Sequence, residues 1–299
     1  MTLNHGYAYR EPLDRGGVTV LEHLAHRYRR ASPDEWRERI DRGEVELDGV
    51  RATPGTVTGP GQTLVWHRPP WDEPEVDARY AVLLEDESVV VVAKPRGLPT
   101  LPGGGFLEHT LLAVVRADFP GVSPMHRLGR ETSGLVLFAR TSAAGTALQH
   151  AWRSHQVLKR YRALGAGVAA QDVYDLTAPI GPVPHPLLGT LHAASAAGRP
   201  SRSRARVLER REQSTLFEVD IDTGRPHQIR IHLAFAGHPL LGDPLYVAGG
   251  GPDPDRASLP GDGGYLLHAT RLIFPHPRTG QPTDVTAIPP AELRCTREP

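Results

Sequence analysis

From residue 80 onward the chain is a succession of short apolar runs broken by polar turns, and this pattern restricts the fold more than any other feature. VLLEDESVVVVAKP, GLVLFAR, RYRALGAGV, TLFEVDID, HQIRIHLAF and LIFPHP each read as strand-forming, and HTLLAVVRADF and AAGTALQHAWRSH read as helices between them. Such a mixture predicts an α+β domain built on a long, mainly antiparallel sheet. The Gly/Pro/Asp-rich stretch 248–264 is expected to be a surface loop.

The segment before residue 80 differs in kind. Residues 1–16 are polar and read as an N-terminal arm. Residues 17–68 read as a small α/β module. VTVLEHLAHRYRR has apolar residues near helical spacing. SPDEWRERIDRG reads as a second helix with Ser32 as N-cap, Pro33 at the first position and Glu35 at the third, and Gly43 is placed to stop it. Asp48-Gly49 signals a hairpin between the short strands that follow. Two short helices and a small hairpin resemble the RNA-binding module shared with ribosomal protein S four. Arg27, Arg29, Arg30, Arg37 and Arg39 on those helices suit phosphate contact. Residues 69–79, rich in Pro and acid, read as a linker, which leaves 80–299 as the larger domain.

Lys plus Arg and Asp plus Glu both number 34, so any site for an anionic polymer must come from local clustering. The single cysteine, Cys295, excludes an intramolecular disulfide and a cysteine-cluster zinc site. The N-terminus has no apolar core of a secretory signal, and no apolar run approaches the ~20 residues of a membrane span. A cytoplasmic protein without membrane association is expected.

Four stretches carry chemistry. In MHRLGRETSGLVLFAR, Met125–Arg140, the cations Arg127 and Arg130 and the hydroxyls of Thr132 and Ser133 lead into a buried strand, a set suited to phosphate contact. LKRYRALGAG places Tyr161 on a strand. In TGRPHQIRIHLAFAGHPLLGDPLY, Thr223–Tyr246, strand alternation puts Gln228, Arg230 and His232 on one face and Ile229, Ile231 and Leu233 on the other, so that the strand lines a cleft. The three histidines here raise a metal site as an alternative, but no carboxylate is paired with them at suitable spacing. LLHATRLIFPHPRTGQP places Leu267 at the start of a further strand, preceded upstream by a strand that ends at Lys94-Pro95.

Taken in order, HRL-x-R-x-TSGL, Lys-x-Tyr, TGR-x-HQIR-x-HLA-x-x-GHP-x-x-GDP-x-Y and LHA-x-x-L-x-F-x-HP resemble the RluA family of RNA pseudouridine synthases over roughly residues 80–290. The resemblance implies a pseudouridine synthase fold and isomerisation of uridine to pseudouridine in ribosomal or transfer RNA, by a monomer that needs no cofactor or metal. It implies that Tyr161 stacks on the target uracil, Leu267 packs against the flipped base, and Arg230 pairs with the catalytic carboxylate. His126, Arg127, Leu128, Gly129, Arg130, Thr132, Arg225, His227 and Gln228 would line the substrate site.

In one respect the sequence departs from the family. Where the family has its catalytic Asp after HRL, this chain has Gly129, which can neither attack nor accept a proton. Glu131 is the first replacement to consider, although in an extended loop it lies roughly 6.5–7 Å from position 129. Asp222, beside the TGR turn, is the second. The third option is a protein that binds RNA without isomerising it.

Overall fold

The computed structural model describes residues 3–29 and 31–298, so Arg30 lies outside the described residues. The chain divides into two compact units, residues 1–73 with 185–189, and residues 74–184 with 190–299.

In the first unit, β1 (Tyr7–Pro12), β2 (Val45–Leu47), β3 (Val50–Arg51) and β4 (Thr63–Arg68) form an antiparallel sheet in the order β1-β4-β2-β3. Helices α1 (Val20–Arg27) and α2 (Pro33–Asp41) bury Val20, Leu24, Trp36 and Ile40 with Val45 and Leu64. Both helices begin with a capping box, Thr19 with Glu22 and Ser32 with Glu35, which satisfies backbone N–H groups that the first turn leaves free. Asp48 and Gly49 both have positive φ, as a two-residue hairpin turn of this twist requires. The N-terminal segment is not a free arm over residues 7–12. Tyr7–Pro12 pairs with Thr63–Arg68 over six residues, and Tyr9 stacks on Trp66 at 5.3 Å. The polar composition concealed this strand because β1 is an edge strand with little buried surface.

The second unit is built on a ten-stranded sheet. Its strands are β5 (Ala81–Glu85), β6 (Val89–Lys94), β7 (Ser123–Pro124), β8 (Ser133–Ala139), β9 (Leu158–Ala166), β10 (Val173–Leu176), β13 (Ser203–Arg210), β14 (Ser214–Ile221), β15 (Leu267–Pro275) and β16 (Pro282–Thr286). The main order is β10-β13-β14-β9-β15-β8-β6-β5, with β16 beside β15 and β7 beside β8. A separate hairpin pairs β11 (Ile180–His185) with β12 (Gly189–Ala194). Val89–Val92 and Leu135–Phe138 are all but inaccessible to solvent, which is why both strands are continuously apolar. Helices α3 (Leu111–Asp118) and α4 (Ser142–Arg153) contribute Leu111, Val115 and Leu148 to the same core.

Every pairing in this sheet is antiparallel except β8 with β15, where Ser133 and Gly134 face His268 and Ala269. That one parallel junction positions the site. The strands run the same way, so the loops entering them, 126–132 and 260–266, emerge at the same edge. Strand β9, antiparallel to β15, brings Tyr161 opposite Ala269.

HQIRIHLAF is not a strand. Residues Gln228–Phe235 form helix α5, preceded by His227 in a left-handed conformation (φ 55°). All residues from Gln228 to Ala234 are buried. A helix buried on every side has no polar face, so the 3.6-residue period is absent and the alternation of polar and apolar residues imitates a strand. The polar side chains are accommodated by specific partners. Gln228 Nε2 donates to Arg202 O and Ser203 Oγ, and Gln228 Oε1 accepts from Thr223 Oγ1 and the Arg225 N–H. His232 is held by Ser201, Ser203 and the Ala178 carbonyl.

Candidate active site

Loop 126–132 is fixed from beneath by two buried side chains. Lys94 Nζ donates to the carbonyls of Pro95, Leu98 and Arg130 at 2.8, 2.6 and 3.1 Å. Burial pushes its pKa down to about 7, an effect that the nearby Glu131 carboxylate opposes. Thr100 Oγ1 donates to Leu128 O and accepts from the Leu128 N–H. His126 accepts the Leu137 N–H through Nε2 and stacks on Trp152 at 5.4 Å. Burial, with Lys159 nearby, lowers its pKa to about 4, so the ring is neutral. These contacts give His126 a part in anchoring the loop as well as in lining the cleft.

Above the loop lies a small cavity of about 110 Å³, lined by Arg127, Leu128, Gly129 and Thr132 from the loop, Tyr161 from β9, Arg225, His227, Gln228 and Arg230 from the turn and helix α5, Tyr265 from the loop before β15 and Leu267 at the start of that strand. Larger open recesses of about 570 and 470 Å³ adjoin it. Arg127 and Arg225 line all three, so two guanidinium groups border the whole cleft. Arg130 lines the recess on one side and Asp222 that on the other. Tyr161 and Leu267 are each 7% exposed, a flat aromatic and an aliphatic side chain at one small opening. Burial pushes the Tyr161 phenol up to about 12, so it is a neutral stacking surface.

The turn before α5 is fixed by hydrogen bonds. Arg225 donates to Pro200 O through Nε and Nη2. His227 Nδ1 lies 2.7 Å from the Tyr246 hydroxyl, which itself donates to His192 O, so Nδ1–H is the donor in that contact. Burial first, and then Arg230, lower the His227 pKa to about 3. Gln228 clamps the TGR turn through its amide oxygen, which accepts from Thr223 Oγ1 and the Arg225 N–H, and so acts in the site by positioning Arg225.

The structure brings most of the expected residues together and moves the carboxylates elsewhere. Arg230 does pair with an acid, but the acid is Asp243 of the GDP turn, to which the motifs assigned no role. The contacts are bidentate at 2.7 Å, and neither side chain is accessible. Glu131 is bound to Arg96 at 3.0 Å and Arg130 at 3.3 Å and does not line the Tyr161 cavity. Asp222 lines the larger recess beside Tyr161, but it is 63% exposed and 3.6 Å from Arg202. At position 129, a β-carbon would lie 2.9 Å from the Tyr265 hydroxyl and 3.5 Å from Thr132 Oγ1. Tyr265 carried no motif signal, and Lys94 stood out in the sequence only as the end of a strand.

A sequence model of the family described as RNA pseudouridylate synthase matches residues 88–235. An uncharacterized RNA pseudouridine synthase of Synechocystis is 43% identical, over 92% of this chain and 95% of its own. The chain belongs to the RNA pseudouridine synthase family. RNA pseudouridine synthase 5 of Arabidopsis thaliana is 38% identical over 92% of this chain and 90% of its own. Ribosomal large subunit pseudouridine synthase D of Xanthomonas campestris is 33% identical over 92% and 86%. Human RNA pseudouridylate synthase domain containing 1 shares the fold, with a TM-score of 0.58 at 23% identity over 75% of this chain and 89% of its own. Like other pseudouridine synthases it is an isomerase acting on uridine in RNA.

Proposed function

We propose that this synthase acts on ribosomal RNA of the large subunit. The observation that carries the reading is the pairing of Tyr161 with Leu267 at a small cavity beneath a cleft bordered by Arg127 and Arg225. Breaking and remaking the glycosidic bond requires a uridine turned out of its stack, at a cost of a few kcal/mol. Stacking on Tyr161 offsets about 1–3 kcal/mol of that cost, and the arginines hold the flanking phosphates. Relatives named ribosomal large subunit pseudouridine synthase D, 30–39% identical, support ribosomal over transfer RNA. The first unit, with Arg29 and Arg37 exposed on and after its helices, serves as an RNA-binding module of a cytoplasmic monomer. The test is tritium release from RNA labelled at uracil C5, comparing large-subunit ribosomal and transfer RNA transcripts. Release from transfer RNA alone would refute the ribosomal assignment.

A further inference from the structure

We propose that the hydroxyl of Tyr265 is the catalytic oxygen of this enzyme, acting on the ribose of the extruded uridine where position 129 supplies no carboxylate.

Gly129 is not required by the backbone, since its φ lies outside the left-handed region. What occupies the side-chain space is Tyr265. Its Oη stands 2.9 Å from where a β-carbon would be, closer than non-bonded atoms tolerate, and therefore within the volume that a carboxylate at 129 would fill. The glycine and the tyrosine are thus complementary: one loop gives up a side chain and the loop entering β15 supplies an oxygen to the same place.

The oxygen is held but not used up. The ring is 2% exposed, and the Arg230 guanidinium lies 4.2 Å from its centre. Among the described residues the hydroxyl's hydrogen-bond partner is Thr132 Oγ1 at 3.4 Å, well beyond the ~2.7–2.8 Å of a good O–H···O bond. Tyr265 lines the same small cavity as Tyr161 and Leu267, where the base and its sugar enter. The Arg230 cation stabilises negative charge developing on that oxygen, an effect that Asp243 partly offsets.

The step balances without a co-reactant. The phenol loses its proton to water as Oη bonds to C1′, and the C1′–N1 bond breaks with its electron pair leaving on the uracil. After the base turns, C5 bonds to C1′ while the C1′–Oη bond breaks and its pair returns to oxygen. The C5 proton passes to water, and N1 and Oη each recover a proton. Tyrosine serves as such a nucleophile in sialidases.

The experiment is Tyr265→Phe, which keeps the ring and its packing, assayed by tritium release and by RNA binding. Turnover is expected to fall about 100-fold or more, with RNA affinity within about twofold of wild type. Combining Gly129→Asp with Tyr265→Phe, which frees the space, should restore turnover. Wild-type turnover by Tyr265→Phe would overturn the proposal, as would an inert wild type that gains activity from Gly129→Asp alone. The proposal rests on the isomerase reading, so a second measurement avoids turnover: a crystal structure with uridine-containing RNA bound. Tyr265 Oη should be the protein oxygen nearest C1′; another group in that place would overturn it, whatever the activity.

Discussion

Arg230 and Asp243 form a bidentate ion pair, 2.7 Å at both contacts, in which Arg230 is 2% and Asp243 0% exposed. Arg230 also donates to Pro260 O, so one guanidinium joins helix α5, the GDP turn and the loop that leads to Tyr265. Truncating one member leaves the other charged in a dry site. Asp243→Asn should cost about 3–5 kcal/mol in urea unfolding. Arg230→Lys should cost a comparable amount, because an ammonium cannot reproduce the fork. A loss below about 1 kcal/mol in either variant would show that the pair is not structural.

Lys94 predicts a different separation. Lys94→Met removes three donors and leaves the carbonyls of Pro95, Leu98 and Arg130 without them, at an expected cost of about 2–3 kcal/mol. Loop 126–132 should then lose order. The expected kinetic signature is a fall in kcat at unchanged RNA affinity; weakened RNA binding at normal kcat would contradict it.

His268 sets a pH dependence. Its ring is 4% exposed and bonded to Ser133 Oγ at 2.8 Å, and burial lowers its pKa from 6.5 to about 4. The folded-state pKa is depressed, so between pH 6.5 and 4 the unfolded chain holds the extra proton. The neutral histidine's stability is therefore present above 6.5 and lost as pH falls. Relative to His268→Gln, the wild type should lose about 1.4 kcal/mol per pH unit in that window. Parallel pH curves for the two proteins would disprove it.

Gly129 and Tyr265 should be coupled in stability. Gly129→Ala places a methyl 2.9 Å from a buried hydroxyl on a rigid ring and should cost about 1–3 kcal/mol. In the Tyr265→Phe background the cost should fall by more than half, a coupling measurable by a double-mutant cycle. Additive effects would place the two groups apart.

Arg29 and Arg37 are exposed in the first unit. If both contact phosphates, replacing them with Gln should reduce the slope of log affinity against log salt by about 1.4, roughly 0.7 for each contact on single-stranded RNA. An unchanged slope would exclude this face from binding.

The sequence by itself determined whatever depends on neighbours in the chain. The capping boxes at Thr19 and Ser32, the Asp48-Gly49 turn and the buried runs at Val89–Val92 and Leu135–Phe138 follow from local hydrogen bonding and hydrophobic patterning. So does the assignment of Tyr161 and Leu267 to strands, and with it much of the site. Tertiary structure decided what depends on enclosure. Tyr7–Pro12 became a strand because β4 offered it a free edge. Helix α5 lost its helical signature because all its sides are covered, and its alternating residues imitated a strand. The partner of Arg230 is Asp243, 13 residues away along the chain, and the occupant of the space beside Gly129 is Tyr265, from the far end of the domain's sequence. No spacing rule encodes those meetings. The second follows from the one parallel junction, β8 with β15, which brings two distant loops to the same edge of the sheet.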